Sequence, residues 1–252
     1  MLDVDAYFRR IDYRGALTPS YGTLRDLHLT HLHTVPFENL DIHFGRPIVL
    51  DEDALFDKIV RRRRGGFCYE LNGLFSALLR ELGFRVTRLS AGVLDGGTYG
   101  PDFDHMTLLV ELDQRYLADV GFGDAFWEPL RLDDSQEQIQ RGRRFRLSHD
   151  GRVGTMLFEH TTGVPDGYRF SLHPRGFAEY EDMCRFHQTS PESTFTQRRV
   201  CSKATPTGRI TLRDTRLIVT EHGERREGLL SEDDWVQALE RDFGISPSEF
   251  DR

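Results

Sequence analysis

Three residues have the types and spacing to do chemistry together: a thiol, an imidazole and a carboxylate. Cys68 lies in Arg64-Gly65-Gly66-Phe67-Cys68-Tyr69-Glu70-Leu71-Asn72-Gly73, where a Gly-Gly turn leads into a helical pattern. The N-terminus of a helix stabilises an anion through its dipole and its unpaired N–H groups, so this position predicts a lowered thiol pKa and a nucleophile. A free cysteine is ordinarily a small buried hydrophobe, so the reading depends on partners. A cysteine nucleophile needs a base and a group that fixes the base's tautomer. His105 opens the strand-like run 106–111, and Asp119 closes the run 116–120 before Gly121-Phe122-Gly123. Fourteen residues separate the two, a spacing that suits neighbouring antiparallel strands joined by a turn at 112–115.

The elements that must position these residues change character along the chain. The first third reads as helical. Asp3 can cap a helix with Val4, Tyr7, Phe8 and Ile11 on one face, and Thr18-Pro19-Ser20 starts another over 21–32. His28, His31 and His33 end that helix; with no acidic or Cys partner at ligand spacing, they read as packing or surface residues rather than a metal site. Pro36 then forces an extended segment over 33–41, in which Glu38 needs a partner. A helix over 51–62, capped by Asp51, closes on four arginines, 61–64. Two or three of these are expected to stay solvated, while Arg64 is placed to reach Glu38 as a buried ion pair. After Cys68, the positions Leu71, Leu74, Phe75, Leu78, Leu79 and Leu82 repeat as a helix that Gly83 can end.

From Phe84 the repeat becomes short and strand-like, at 85–93, 106–111, 116–120, 143–148, 152–158 and 168–172. Such a series of hairpins predicts a barrel or curled antiparallel sheet. A helix over 177–186, a loop over 188–192 and strands over 199–205, 209–213 and 215–221 follow. Ser231 with Asp234 begins a closing helix whose inner face is Trp235, Leu239 and Phe243, and Gly244 stops it.

Composition narrows the function. The chain has 252 residues, 33 Lys+Arg against 41 Asp+Glu, and a formal charge of −8. Such a surface repels polynucleotides and anionic membranes, although a local basic patch could still hold a phosphorylated cofactor. Three cysteines without CxxC spacing make a disulfide scaffold or zinc ribbon a poor fit and favour a reducing compartment. No basic n-region with an apolar run opens the sequence and no window reaches the roughly 18 apolar residues of a membrane helix, so the expectation is a cytoplasmic protein.

The glycine–cysteine segment resembles the signature of the arylamine N-acetyltransferase family, prokaryotic type. Further matching blocks are Val35-Pro36-Phe37-Glu38-Asn39-Leu40, Asp104-His105-Met106, Asp119-Val120-Gly121-Phe122-Gly123 and Thr189-Ser190-Pro191-Glu192-Ser193 through Cys201-Ser202. The resemblance implies an α+β fold with a papain-like cysteine active site: a helical bundle (1–84) carrying the nucleophile, an antiparallel β-barrel (85–190) carrying His and Asp, and an interdomain segment with an α/β lid (191–252). By similarity Cys68 is the acyl-accepting nucleophile, His105 its histidine, Asp119 its orienting aspartate, and Arg64–Glu38 a structural ion pair. The implied reaction moves an acetyl group from acetyl-CoA, through an acetyl-cysteine, to an arylamine or arylhydrazine, without a metal. Phe37, Phe67, Val93, Phe122, Gly123 and Phe195 are the candidates for contact with the acceptor. The acidic, aromatic run Asp124-Ala125-Phe126-Trp127-Glu128 departs from the family pattern and bears on acceptor range. Alternatives are a thiol-dependent hydrolase or amidase, an amide synthase of natural-product biosynthesis, and a silent relative that binds CoA or a partner.

Overall fold

The computed structural model describes residues 2–159 and 165–249. Its first layer is helical. Asp3 caps the helix Val4–Ile11 by accepting from the Ala6 N–H at 2.9 Å, and Ser20 caps Tyr21–Thr34. Asp51 caps Glu52–Phe56, which runs on into the π-helical turn Asp57–Arg61. The helix Cys68–Glu81 is buried at every position from Cys68 to Leu79. A helix with no solvated face is a core element, and the others pack around it through Tyr7, Leu24, Leu27, Leu55, Leu74 and Phe75.

One side of this helix rests on a nine-stranded antiparallel sheet. Its central strand, Arg85–Asp95, pairs with His105–Glu111 on one edge and Pro165–Pro174 on the other. The sheet continues through Arg115–Ala118 and Leu130–Arg131 in one direction, and through Val153–Glu159, Arg143–His149 and Gln138–Gln140 in the other. The two ends meet: Gln138 accepts from the Arg131 N–H and donates to the Arg131 carbonyl, each at 2.8 Å. A side-chain amide thus stands in for the missing ladder bonds, and the sheet curls into a nearly closed barrel filled by Leu117, Phe145, Leu147, Met156, Phe158 and Phe170.

A second sheet of five antiparallel strands forms the lid. Val200–Thr205, Gly208–Arg213, Arg216–Glu221 and Glu224–Leu229 follow in order, backed by the helix Glu232–Ala238, its π-helical extension Leu239–Phe243 and the left-handed Gly244 (φ 69°). Its first strand comes from far upstream: Phe37–Glu38 pairs with Val200–Thr205, Glu38 opposite Cys201. The sheet therefore begins inside the 1–84 span. Residues 160–164 and 250–252, which fall in the barrel and lid spans, lie outside the described residues.

Three local expectations change. Only Phe37–Glu38 of 33–41 is a strand; Leu40–His43 is helical, its first N–H held by Glu38 Oε2 at 2.8 Å. The loop expected over 188–192 begins later, because the helix Glu181–Thr189 takes its first two residues. The strand Glu224–Leu229 was not anticipated, because the run is exposed at every position and carries no apolar alternation. Pairing with Arg216–Glu221 makes it a strand.

Candidate active site

The loop before Cys68 is fixed from below. Gly66 and Phe37 form a parallel bridge, and the Glu38 N–H donates to the Gly66 carbonyl at 2.9 Å. A Cβ on Gly65 would fall 2.0 Å from the Pro36 carbonyl oxygen, so only glycine allows this approach. Arg64 is fully buried and bonds Glu38 Oε1 through Nε at 3.0 Å and Nη2 at 2.8 Å, with Asp41 at 3.0 Å. Arg61, Arg62 and Arg63 are exposed. Lys58, also buried, lies 2.7 Å from both Asp41 and Glu70. Burial acts to raise the Asp41 carboxyl, but the Lys58 and Arg64 charges outweigh it and hold it below its ordinary value. Glu70 turns its second oxygen to the Phe67 N–H at 3.1 Å, one of the orphan donors at the head of the Cys68 helix.

His105 heads the strand His105–Glu111, and Asp119 follows directly after the adjoining strand Arg115–Ala118, which ends two residues short of the expected run 116–120; the two side chains meet there. His105 Nε2 donates to Asp119 Oδ2 at 2.6 Å, which leaves Nδ1 as the free face of the ring. Both residues are at most 3 % exposed. Burial alone would raise the Asp119 carboxyl; the His105 charge, the His105 and Asn72 hydrogen bonds and the Gly121 N–H hold it low instead. Cys68 reaches the head of the same strand, where the main chain of Met106, the residue after His105, hydrogen-bonds its sulfur. Gly121 closes over it: a Cβ there would lie 2.8 Å from the Cys68 Cα.

The expectation of a lowered thiol pKa needs correction. Burial is the largest influence on Cys68 and pushes its pKa well up; Asp104 and Asp119 push the same way, and only the Met106 hydrogen bond opposes them. The helix terminus by itself does not ionise this sulfur. A thiolate here requires a cation beside it, and the imidazole at the head of the Met106 strand is that of His105.

The acceptor candidates divide. Phe37, Phe67 and Phe195 form one cluster, with Phe195 at 6.1 Å from Phe37 and edge-on to Phe67 at 5.6 Å. Phe67 is fully buried and backs the cluster, whereas Phe37 and Phe195 are half-buried and form its face. Phe122 belongs to the barrel side, edge-on to His105 at 5.2 Å. Gly123 follows it in left-handed backbone (φ 89°). Val93 donates its N–H to Asp104 at 3.1 Å. Of these departures from the family pattern, Phe126 packs into the barrel core, whereas Trp127, though largely buried, carries Arg141 and Arg143 over its ring and lines a cavity.

Two polar residues escaped the sequence reading. Asn72, one turn beyond Cys68, donates to Asp119 Oδ1 at 2.8 Å and to the Met106 carbonyl at 2.6 Å, and accepts from the Val120 N–H at 2.9 Å. A poor helix former kept inside a helix on the cysteine's own face is the signal that could have found it. Asp104 pairs with His187 at 3.3 Å, and His187 in turn contacts Ser193 at 3.0 Å.

A cavity of about 1200 Å³ opens between barrel and lid. Arg141, Arg143, Arg144, Arg146 and Arg209 line it, with Asp124 and Glu137 as counter-charges. None of Cys68, His105 and Asp119 lines it, but its wall residue Phe158 is 6.4 Å from Phe122, which packs on His105. Among the described residues no group of His, Cys, Asp and Glu could hold a metal ion, all three cysteines are free, and no helix is long and apolar enough to cross a membrane.

An α+β fold with a thiol at the head of a buried helix, beside an imidazole–carboxylate pair on a barrel, is the architecture of the papain-like enzymes. Residues 20–249 match the family model described as N-acetyltransferase. The pineal gland isozyme of arylamine N-acetyltransferase from Gallus gallus is 38% identical over 232 residues, covering 82% of this chain and 79% of that one. The Escherichia coli arylamine N-acetyltransferase is 36% identical over 225 residues, 88% and 80% of the two chains. Among solved structures, the M. tuberculosis arylamine N-acetyltransferase superposes with a TM-score of 0.91 at 34% identity, covering 98% of this chain and 94% of that one. The Mycobacterium marinum enzyme, solved in complex with CoA, gives 0.91 at 32% identity with the same coverage. The chain belongs to the arylamine N-acetyltransferase family.

Proposed function

We propose that this enzyme transfers an acetyl group from acetyl-CoA to the nitrogen of arylamines or arylhydrazines by double displacement through Cys68. The observation that carries the reading is the placement of the Cys68 sulfur on the main chain of Met106, next to a His105–Asp119 pair 2.6 Å apart. In the first half-reaction the proton passes from the Cys68 thiol to His105 Nδ1, the sulfur attacks the thioester carbonyl carbon, and the carbon–sulfur bond to CoA breaks. His105 returns the proton to the departing CoA thiolate. In the second, the amine nitrogen attacks the acetyl-cysteine, His105 takes a proton from it, and the Cys68 sulfur leaves. The Phe67 N–H is occupied by Glu70, so the oxyanion donors fall to the next first-turn N–H groups of the helix, which have no intrahelical acceptor.

The arginine-lined cavity suits the phosphates of the donor, since guanidinium binds phosphate bidentately. Phe37, Phe195 and Phe122, the half-buried aromatics beside the thiol and imidazole, suit an aryl acceptor. Arg64 holds the cysteine loop through Glu38 as a structural ion pair. The test is to incubate the protein with acetyl-CoA, with and without an arylamine, and to follow free thiol and acetylated amine together. Amine-dependent CoA release that disappears in Cys68→Ala is expected. Amine-independent turnover would make the protein a thiol hydrolase, and no turnover a binding protein.

A further inference from the structure

His28 is fully buried midway along Tyr21–Thr34, and its ring touches both ends of the loop between the strands Arg115–Ala118 and Leu130–Arg131. Nδ1 is 2.8 Å from the Trp127 carbonyl oxygen, and Nε2 is 3.1 Å from the Asp119 amide nitrogen and 3.0 Å from the Asp119 carbonyl oxygen. A carbonyl only accepts, so Nδ1 carries the hydrogen toward Trp127. A neutral ring then has a bare Nε2, which accepts from the Asp119 N–H. A charged ring would donate to the Asp119 carbonyl and leave that N–H unmatched. Burial decides between the two: it lowers His28 to about 4 against weaker opposing hydrogen bonds and the Asp119 charge, so the ring is neutral near pH 7. Phe126 stacks on the ring at 5.7 Å and 10°, and Phe75 of the nucleophile helix meets it edge-on at 6.2 Å, which fixes its rotation.

We propose that His28 is a positioning residue: as the Nδ1–H tautomer it clamps both ends of the 119–127 loop, setting the Asp119 carboxylate against His105 and the Phe122 ring against the acceptor. The carboxylate is held by His105, Asn72 and the Gly121 N–H; His28 holds the main chain behind it. The inference rests on the reading of Asp119 as the partner of His105 in acetyl transfer.

The experiment combines a spectroscopic measurement on the wild-type enzyme with kinetics of His28→Leu, His28→Gln and Asp119→Asn. Long-range ¹⁵N–¹H correlation at pH 7 is expected to find His28 protonated on Nδ1 alone; an Nε2–H tautomer or an imidazolium overturns the clamp. His28→Leu is expected to lower kcat about 10- to 100-fold, the scale of a small misplacement of catalytic groups, with KM for acetyl-CoA unchanged and the pH profile of Cys68 alkylation displaced. His28→Gln, whose amide oxygen can accept from the Asp119 N–H, should recover most of that loss. A folded His28→Leu with wild-type kcat and pH profile overturns the proposal, as does a His28→Gln that recovers nothing. If His28→Leu does not fold, the tautomer and His28→Gln decide. An active Asp119→Asn would instead overturn the catalytic reading of Asp119.

Discussion

Glu38, Asp41, Lys58, Arg64 and Glu70 form one charged cluster beneath the Cys68 loop, none of them more than 5 % exposed. The arginines of the cavity between barrel and lid form another, and there the Arg144 and Arg146 side chains are 68% and 74% exposed. The two differ in what completes them. In the first, every carboxylate meets a cation within 3.0 Å, and the Leu40 and Phe67 N–H groups take further oxygens. In the second, Asp124 pairs with Arg143 and Arg209 and Glu137 with Arg144 and Arg146, while Arg141 bonds the Thr205 and Pro206 carbonyls. With Glu159 the only other carboxylate among the described residues of the wall, the arginines are in excess, and Arg144 and Arg146 carry that charge toward open space. A buried network that is complete acts as scaffold, because removing one member strands the others. An exposed surplus contributes little to stability and is free to meet an anion.

That contrast can be broken by mutation. Arg64→Met should cost about 3–5 kcal/mol by urea unfolding, because Glu38 and Asp41 would be left buried without their guanidinium. Arg62→Met, which loses only the exposed pairs to Asp57 and Glu249, should cost no more than about 1 kcal/mol. Equal losses would end the distinction between the arginines. In the cavity the ranking should reverse. Arg143→Gln combined with Arg146→Gln should raise KM for acetyl-CoA about tenfold, the effect of one lost charge-assisted contact with phosphate. Turnover with an acetyl ester that lacks a nucleotide should be unchanged; an equal loss with that donor would mean that the cavity does not read the phosphates.

Added salt sharpens the comparison further. Raising ionic strength from 0.05 to 0.5 M should weaken acetyl-CoA binding several-fold, since exposed charges are screened over about 10 Å or less, while the buried network should barely respond. A flat KM would contradict a phosphate-facing role.

The smallest effect concerns acid. His28 and His31 are buried with pKa values below the ordinary histidine range, chiefly through desolvation. The unfolded chain then takes up protons that the folded chain refuses, so this contribution to stability is complete above about pH 6.5 and declines as pH falls toward 4. His28→Gln should flatten that slope in unfolding titrations; an unchanged slope would show that the buried imidazole does not resist protonation.

Much of the architecture was legible because its signals are local. Asp3, Ser20, Asp51 and Ser231 each cap the helix that follows them, and a cap is read within three or four residues. The barrel strands showed as short apolar runs between turn residues. The exposed strand Glu224–Leu229 did not, since an edge with no buried face has no pattern to show. At the candidate site, types and spacing brought Cys68, His105 and Asp119 into view, yet not the Asn72 side chain that bonds Asp119. The three histidines looked like one feature and separated on folding. His28 holds the Asp119 loop, His31 bonds the Tyr7 hydroxyl at 3.0 Å, and His33 is half-buried.

By itself the sequence determined a thiol at the head of an apolar helix, an imidazole and a carboxylate at the ends of neighbouring strands, and an arginine beside a glycine turn. Each follows from residues within a turn or a hairpin of one another. Only the tertiary structure decided which nitrogen of His105 meets Asp119, that Asn72 and His28 grip that aspartate from 47 and 91 residues away, and that burial raises rather than lowers the lone thiol. Desolvation and hydrogen-bond pairing depend on what lies nearby in space, and the chain's own order does not state it.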